Sequence, residues 1–190
     1  MEIDFLCVDN FYDDPDAIRN LALNQQYGHE KSGDKDYDYP GQRSAQYLPT
    51  FVRTNLNNIM SGIGHIDWNA SENSDCGKFQ YATSNDRTWI HADSFEWAGV
   101  CYLTPNAPHT GGTGFFRHKY TNEWKSLGSN HESYDYTKWD LVDRIANKYN
   151  RLILYKGRLF HASLDYFGSN IQDGRLFQIF FFNTYKGVNN

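Results

Sequence analysis

The chain reads as a mainly β domain with flanking helices, its strands packed as a sandwich or closed into a barrel. Two observations predict this. From about residue 63 onward, short aromatic and β-branched runs alternate with Asn, Asp, Gly and Pro, the spacing of an all-β sandwich or barrel. Before that point, two stretches carry apolar residues at helical spacing. At 190 residues a single domain, 1–190, is the default, with an N-terminal helical part over about 1–62 and a barrel over about 63–186.

Taken in order, Ile3 to Val8 reads as a short strand. Asp13-Asp14-Pro15-Asp16 is a helix start: an Asp cap, an early Pro and acid in the first turn. Ile18, Leu21, Ala22 and Gln25 carry that helix over roughly residues 15–26. Tyr27 to Gly41 is polar and reads as a loop, and Tyr37 to Ser44 could lie at a pocket mouth. Pro49 to Met60 reads as a second helix with Phe51, Val52, Leu56, Ile59 and Met60 on its apolar side, ended by Gly62 and Gly64. His65–Trp68, Lys78–Thr83, Trp89–Asp93 and Trp97–Thr104 follow as strands. Gly111-Gly112-Thr113-Gly114 is a tight turn into another strand, and it lacks the Lys-Ser/Thr ending of a phosphate loop. Lys119 to Tyr136 reads as an insertion, and Tyr136 to Tyr149 as a helix, so that about 119–148 interrupts the barrel. Arg151–Tyr155, Arg158–Ala162 and a strongly apolar Arg175–Asn183 complete the strands.

Composition excludes several classes. A formal net charge of -5 offers no phosphate-binding surface, so no nucleic-acid partner is expected. The mean hydropathy is -0.73, and no apolar run approaches the roughly 20 residues of a membrane span. Met1-Glu2-Ile3-Asp4-Phe5 lacks the basic start of a signal peptide. Cys7, Cys76 and Cys101 are odd in number and far apart, which fits free thiols in a reducing compartment, and a cytoplasmic location is expected. The 17% of aromatic residues suits strands, cores and pocket walls. Nothing in the chain reads out the oligomeric state.

The chemistry concentrates in Thr88-Trp89-Ile90-His91-Ala92-Asp93. Alternate side chains of a strand share a face, so His91 and Asp93 can aim at one point. His161, at the end of Arg158-Leu159-Phe160-His161, is a candidate third ligand on a facing strand. Two histidines and one carboxylate form the facial triad of non-heme Fe(II) oxygenases. Each part also has an ordinary reading: an Asp that caps a turn, a histidine satisfied in a core. Arg175 opens the last strand, and a buried arginine needs a carboxylate or phosphate partner.

The order His91-x-Asp93, Gly111-Gly112-Thr113, His161 and Arg175 resembles the Fe(II)/2-oxoglutarate-dependent dioxygenases. Within them it is most similar to the prolyl-4-hydroxylase-like branch and to small oxygenase-like proteins of bacteria and phages. The resemblance covers roughly residues 76–185, and Phe11-Tyr12-Asp13-Asp14-Pro15 resembles the start of such domains. It implies a double-stranded β-helix, a jelly-roll (cupin-like) barrel with helices packed on one side. It assigns iron to His91, Asp93 and His161, and the distal carboxylate of 2-oxoglutarate to Arg175, with Tyr81 as a supporting contact. Fe(II), 2-oxoglutarate and O2 would then hydroxylate a small-molecule or peptide substrate. Tyr102 and Phe116 would line or underlie the pocket, and Trp89 or Trp97 would form a wall. The chain departs from the branch in its longer His161–Arg175 segment, in Arg where Lys is frequent, and in Phe177 where Ser or Thr is expected. Two other functions share the same residues: a non-catalytic jelly-roll module that binds a ligand, and a zinc-dependent hydrolase, for which no general base is evident.

Overall fold

Strands buried on both faces organise the chain around one large antiparallel sheet. The computed structural model describes residues 2–31, 39–69, 75–127 and 133–185. The strands are β1 (Phe5–Asp9), β2 (Tyr27–Gly28), β3 (Gln42–Gln46), β4 (His65–Ile66), β5 (Lys78–Ala82), β6 (Trp97–Tyr102), β7 (Thr113–His118), β8 (Trp139–Ile145), β9 (Arg151–Lys156), β10 (His161–Ser163), β11 (Arg175–Phe182) and β12 (Thr184–Tyr185). The helices are α1 (Pro15–Leu23) and α2 (Thr50–Met60). The large sheet has the order β1-β9-β6-β11-β5-β3-β2, and a small sheet has the order β10-β7-β8. Single bridges at Ile90 and His91 extend the small sheet, His91 beside His161. From β5 to β11 the chain passes repeatedly between the two sheets. That interleaving makes the two sheets a double-stranded β-helix. β4 pairs with β12 in a separate ribbon.

β11 explains why the last strand is so apolar: both of its faces are covered. Leu176, Phe180 and Phe182 face α1 and α2, together with Ile18, Ala22, Val52, Leu56 and Met60. Phe177 and Ile179 face the small sheet, in a cluster with Val100, Tyr102, Phe115, Ile153 and Tyr155. A third cluster, Ile90, Phe116, Trp139, Phe160 and Ala162, covers the outer side of the small sheet. α1 starts as its sequence predicts, with the Asp14 side chain accepting from Ala17 N at 2.9 Å and Pro15 in the first turn. It stops at Leu23, earlier than residue 26, because Tyr27 enters β2.

Three expectations are corrected. Residues 136–149 do not form a helix: a turn at Tyr136–Lys138 leads into β8. Trp139, Val142 and Ile145 fit a helical spacing, but pairing along β7 wins, reinforced by Arg117 Nη2 on Asp140 Oδ2 at 3.2 Å. The N-terminal part holds more strand than the expected one near Ile3–Val8, since β2 and β3 also join the large sheet. The polar stretch Tyr27–Gly41 accordingly begins with a strand, β2. Tyr37 and Asp38 of the expected pocket mouth lie outside the described residues. No helix among the described residues is long and apolar enough to cross a membrane.

Phe180 is fully buried between sheet and helices, whereas Leu127 is 86% exposed. Phe180→Ala is expected to cost about 3–5 kcal/mol, and Leu127→Ala to stay within about 0.5 kcal/mol. Urea unfolding of the two variants beside the parent checks this.

Candidate metal centre

Backbone pairing brings the two histidines together. His91 N donates to His161 O at 3.0 Å, and His161 N donates to His91 O at 2.8 Å. Residues directly opposite in such a pair send their side chains to the same face. The ring centroids lie 4.4 Å apart. Ile90, one residue earlier, points the other way and is fully buried. Asp93 leaves the ladder and donates its N–H to Gly157 O at 2.7 Å instead. Gly157 permits that approach, since a Cβ there would meet Phe95 O at 2.2 Å. One ligand atom from each of His91, Asp93 and His161 lies within 4.8 Å of the others.

Each ring is oriented by a carbonyl two residues before it. His91 Nδ1 lies 3.0 Å from Trp89 O, and His161 Nδ1 lies 2.8 Å from Leu159 O. A carbonyl only accepts, so each Nδ1 carries a proton, and Nε2 is the ring atom left to meet the carboxylate or a metal. Those Nε2 atoms face the carboxylate, His161 at 3.3 Å from Asp93 Oδ2 and His91 at 3.9 Å from Oδ1. Burial pushes the Asp93 carboxyl up, but His161, His91 and Arg43 outweigh it and hold it below its ordinary value. The three side chains open into a cavity of about 110 Å³ whose lining includes Arg43, Gln80, Thr113, Tyr155, Ser163 and Tyr166.

Arg175 is fully buried on the inward face of β11, behind the Phe177 wall of that cavity. Its Nε donates to Gly111 O at 2.9 Å and its Nη2 to Gly112 O at 3.4 Å. Its Nη1 has no partner. No carboxylate among the described residues pairs with it. The guanidinium rests on Phe177 at 4.3 Å and near Tyr102 at 5.3 Å and Tyr166 at 6.0 Å. Tyr102 Oη and Thr113 Oγ1 share a hydrogen bond of 2.8 Å beside it. The glycine turn has the expected steric role: a Cβ on Gly112 would lie 1.9 Å from Ile145 O.

The structure thus brings together His91, Asp93 and His161, and sets Arg175 behind them. It does not bring Tyr81. Strand phase turns Tyr81 toward the helix side, edge-on to Tyr27 at 5.1 Å, and puts its neighbour Gln80 in the cavity. Trp97 also faces the helices, under Lys156, while Trp89 lines the cavity. Phe116 lies on the outer side of the small sheet, and Tyr102 sits at the base beside Arg175. Tyr39, Pro40 and Arg43, from the stretch expected at a pocket mouth, do line the cavity; sequence reasoning missed Gln80, Tyr155 and Tyr166. The alternation of β9 could have found Tyr155, which shares a face with Ile153.

A family profile described as a family of unknown function, DUF6445, matches residues 2–138. The chain belongs to that family. The matched span ends before His161 and Arg175. No curated protein matches the chain by sequence. Among solved structures it is similar to a prolyl hydroxylase from Trichoplax adhaerens in complex with a hypoxia inducible factor oxygen degradation domain peptide fragment. The TM-score is 0.57 at 12% identity, covering 94% of this chain and 83% of that one. It is also similar to HygX from Streptomyces hygroscopicus with nickel, 2-oxoglutarate and hygromycin B bound. There the TM-score is 0.52 at 11% identity, over 93% and 81% of the two chains. These likenesses show a shared fold, the double-stranded β-helix of 2-oxoglutarate oxygenases.

The depressed Asp93 carboxyl has a direct check in metal-free protein. A carboxyl lowered in the folded state adds stability above its unfolded value, and that stability is lost as pH falls through the folded value. In a carbon-detected NMR titration Asp93 is expected to protonate below pH 3.8, the ordinary aspartate value.

Proposed function

We propose that this chain is a non-heme Fe(II)- and 2-oxoglutarate-dependent dioxygenase that hydroxylates its substrate. One observation carries the reading. Two imidazole Nε2 atoms and a carboxylate converge in front of a fully buried guanidinium whose Nη1 lacks a hydrogen-bond partner. The donor set fits Fe(II): neutral nitrogens and one carboxylate, each held by a hydrogen bond or a neighbouring charge. The fold shared with HygX, which was solved with nickel and 2-oxoglutarate bound, supports the same assignment.

In this reading His91, Asp93 and His161 hold the metal, and Arg175 takes the distal carboxylate of 2-oxoglutarate. The chemistry supplied by iron and its co-substrates is R–H + O2 + 2-oxoglutarate → R–OH + succinate + CO2. Arg175 provides a charge-assisted hydrogen bond where water is excluded. Burial raises Tyr102, Tyr155 and Tyr166, so their hydroxyls stay protonated and can donate to a carboxylate. Tyr155 packs its ring on His161 at 4.6 Å and keeps that ligand dry. Among the described residues the one other carboxylate on the cavity lining, Asp75, is held by Lys78 at 2.9 Å. That leaves it poorly placed as the general base of a zinc hydrolase.

Anaerobic addition of Fe(II) and then 2-oxoglutarate is expected to raise a weak visible charge-transfer band that needs both. Arg175→Ala is expected to weaken 2-oxoglutarate by about 30-fold or more, the cost of truncating one partner of a buried charge pair, with Fe(II) affinity nearly unchanged. Arg175→Lys, which keeps the charge, should lie between. A folded Arg175→Ala that lost metal and 2-oxoglutarate equally would make Arg175 a structural residue and sink the assignment.

A further inference from the structure

The cavity holds a second buried cation that the reading above leaves without a task. Arg43 lies on β3 opposite Gln80 of β5, so both side chains share the inward face of the large sheet. The Arg43 side chain is only 7% exposed. Its Nε donates to Gln80 Oε1 at 2.9 Å, and Gln80 Nε2 donates to Pro40 O at 2.7 Å. The Tyr39 ring covers one face of the guanidinium at 3.6 Å. These contacts fix the side chain and use one of its nitrogens.

The other two nitrogens make no close contact with a carboxylate, although Nη1 forms two long ion pairs. The nearest carboxylates, Glu30 and Asp75, both stand 3.8 Å from Nη1, beyond hydrogen-bond reach. Lys78 holds both of them, at 2.6 and 2.9 Å. Nη1 and Nη2 make no hydrogen bond among the described residues, and neither belongs to the sealed, unpartnered atoms of the interior. Arg43 lines the same cavity as His91, Asp93 and His161. A buried guanidinium whose two terminal nitrogens make no hydrogen bond is a fork shaped for a carboxylate.

Arg43 and Arg175 serve different places. Both rise from the inward face of the large sheet, but β3 and β11 are separated by β5, roughly 10 Å across the sheet. Arg175 sits behind the cavity wall beside Tyr102, and Arg43 forms part of the lining itself. We propose that Arg43 anchors the molecule to be hydroxylated, and that this substrate carries a carboxylate that the Arg43 guanidinium binds. This inference rests on the dioxygenase reading, in which 2-oxoglutarate occupies the Arg175 side.

The test follows the two arginines separately by Nε–Hε NMR correlation, in protein loaded with diamagnetic Zn(II). Arg43→Gln and Arg175→Lys assign the signals, and Arg43→Lys serves if the first variant does not fold. 2-Oxoglutarate is added to saturation, then acetate as the carboxylate probe, with acetamide as its neutral counterpart. 2-Oxoglutarate is expected to shift the Arg175 signal, and acetate then to shift the Arg43 signal saturably in the millimolar range while acetamide does not. An Arg43 signal that ignores acetate, with Arg175 answering 2-oxoglutarate, overturns the proposal and leaves the cofactor reading standing. An Arg43 signal that answers 2-oxoglutarate while Arg175 stays still overturns both, because Arg43 would then be the co-substrate anchor.

Discussion

Two backbone hydrogen bonds between His91 and His161 set up everything else at this site. They hold residues far apart in the chain opposite each other, with both rings on the cavity side. The barrel makes that pairing available. Because the chain alternates between sheets, the segment before β6 and the strand before β11 become neighbours in the small sheet. Gly157 then lets Asp93 close the third corner. Loss of the pairing would scatter the three ligand atoms without removing one of them.

Around this geometry the interior carries charges that a simple core would avoid. Asp93, Arg175 and Arg43 are all largely or fully buried. Asp93 faces the two imidazoles, which offset its burial. Arg175 is bonded to two backbone carbonyls and lacks a counter-ion among the described residues. Arg43 uses one nitrogen on Gln80 and has only long ion pairs among the described residues, to Glu30 and Asp75 at 3.8 Å. Truncating one partner of a buried charge pair typically costs several kcal/mol, and an unpaired buried charge is costly for the same reason. Arrangements of this kind persist where a ligand completes them, so the donors that make no hydrogen bond point to carboxylate ligands near the candidate metal site.

Much of the fold could be read from the chain because its signals are local. Asp14-Pro15-Asp16 marks a helix start by capping chemistry alone, and short aromatic runs between turn residues mark the strands. His91 and Asp93 share a face through the period of an extended chain, and Arg175 heads an unmistakably apolar strand. What failed depended on long-range pairing or on strand phase. Trp139, Val142 and Ile145 carry a helical spacing, and only β7 decides that they form a strand. Tyr81 and Gln80 are adjacent, and which one enters the cavity depends on register with Leu176 and Phe177. Arg43 follows a polar, glycine-bearing stretch, and nothing local announces that β3 will carry it inside the barrel.

The central claim is that His91, Asp93 and His161 form one Fe(II) site. It is tested most directly by anaerobic equilibrium dialysis of Fe(II) against the parent, Asp93→Ala and His161→Ala, each checked for folding by circular dichroism. Disturbing even an outer hydrogen-bond partner of a metal ligand costs about 10–100-fold in affinity, so removing a ligand should cost about 100-fold or more. The account predicts one Fe(II) per parent chain and that loss in both variants. A folded His161→Ala that bound Fe(II) as tightly as the parent would contradict it.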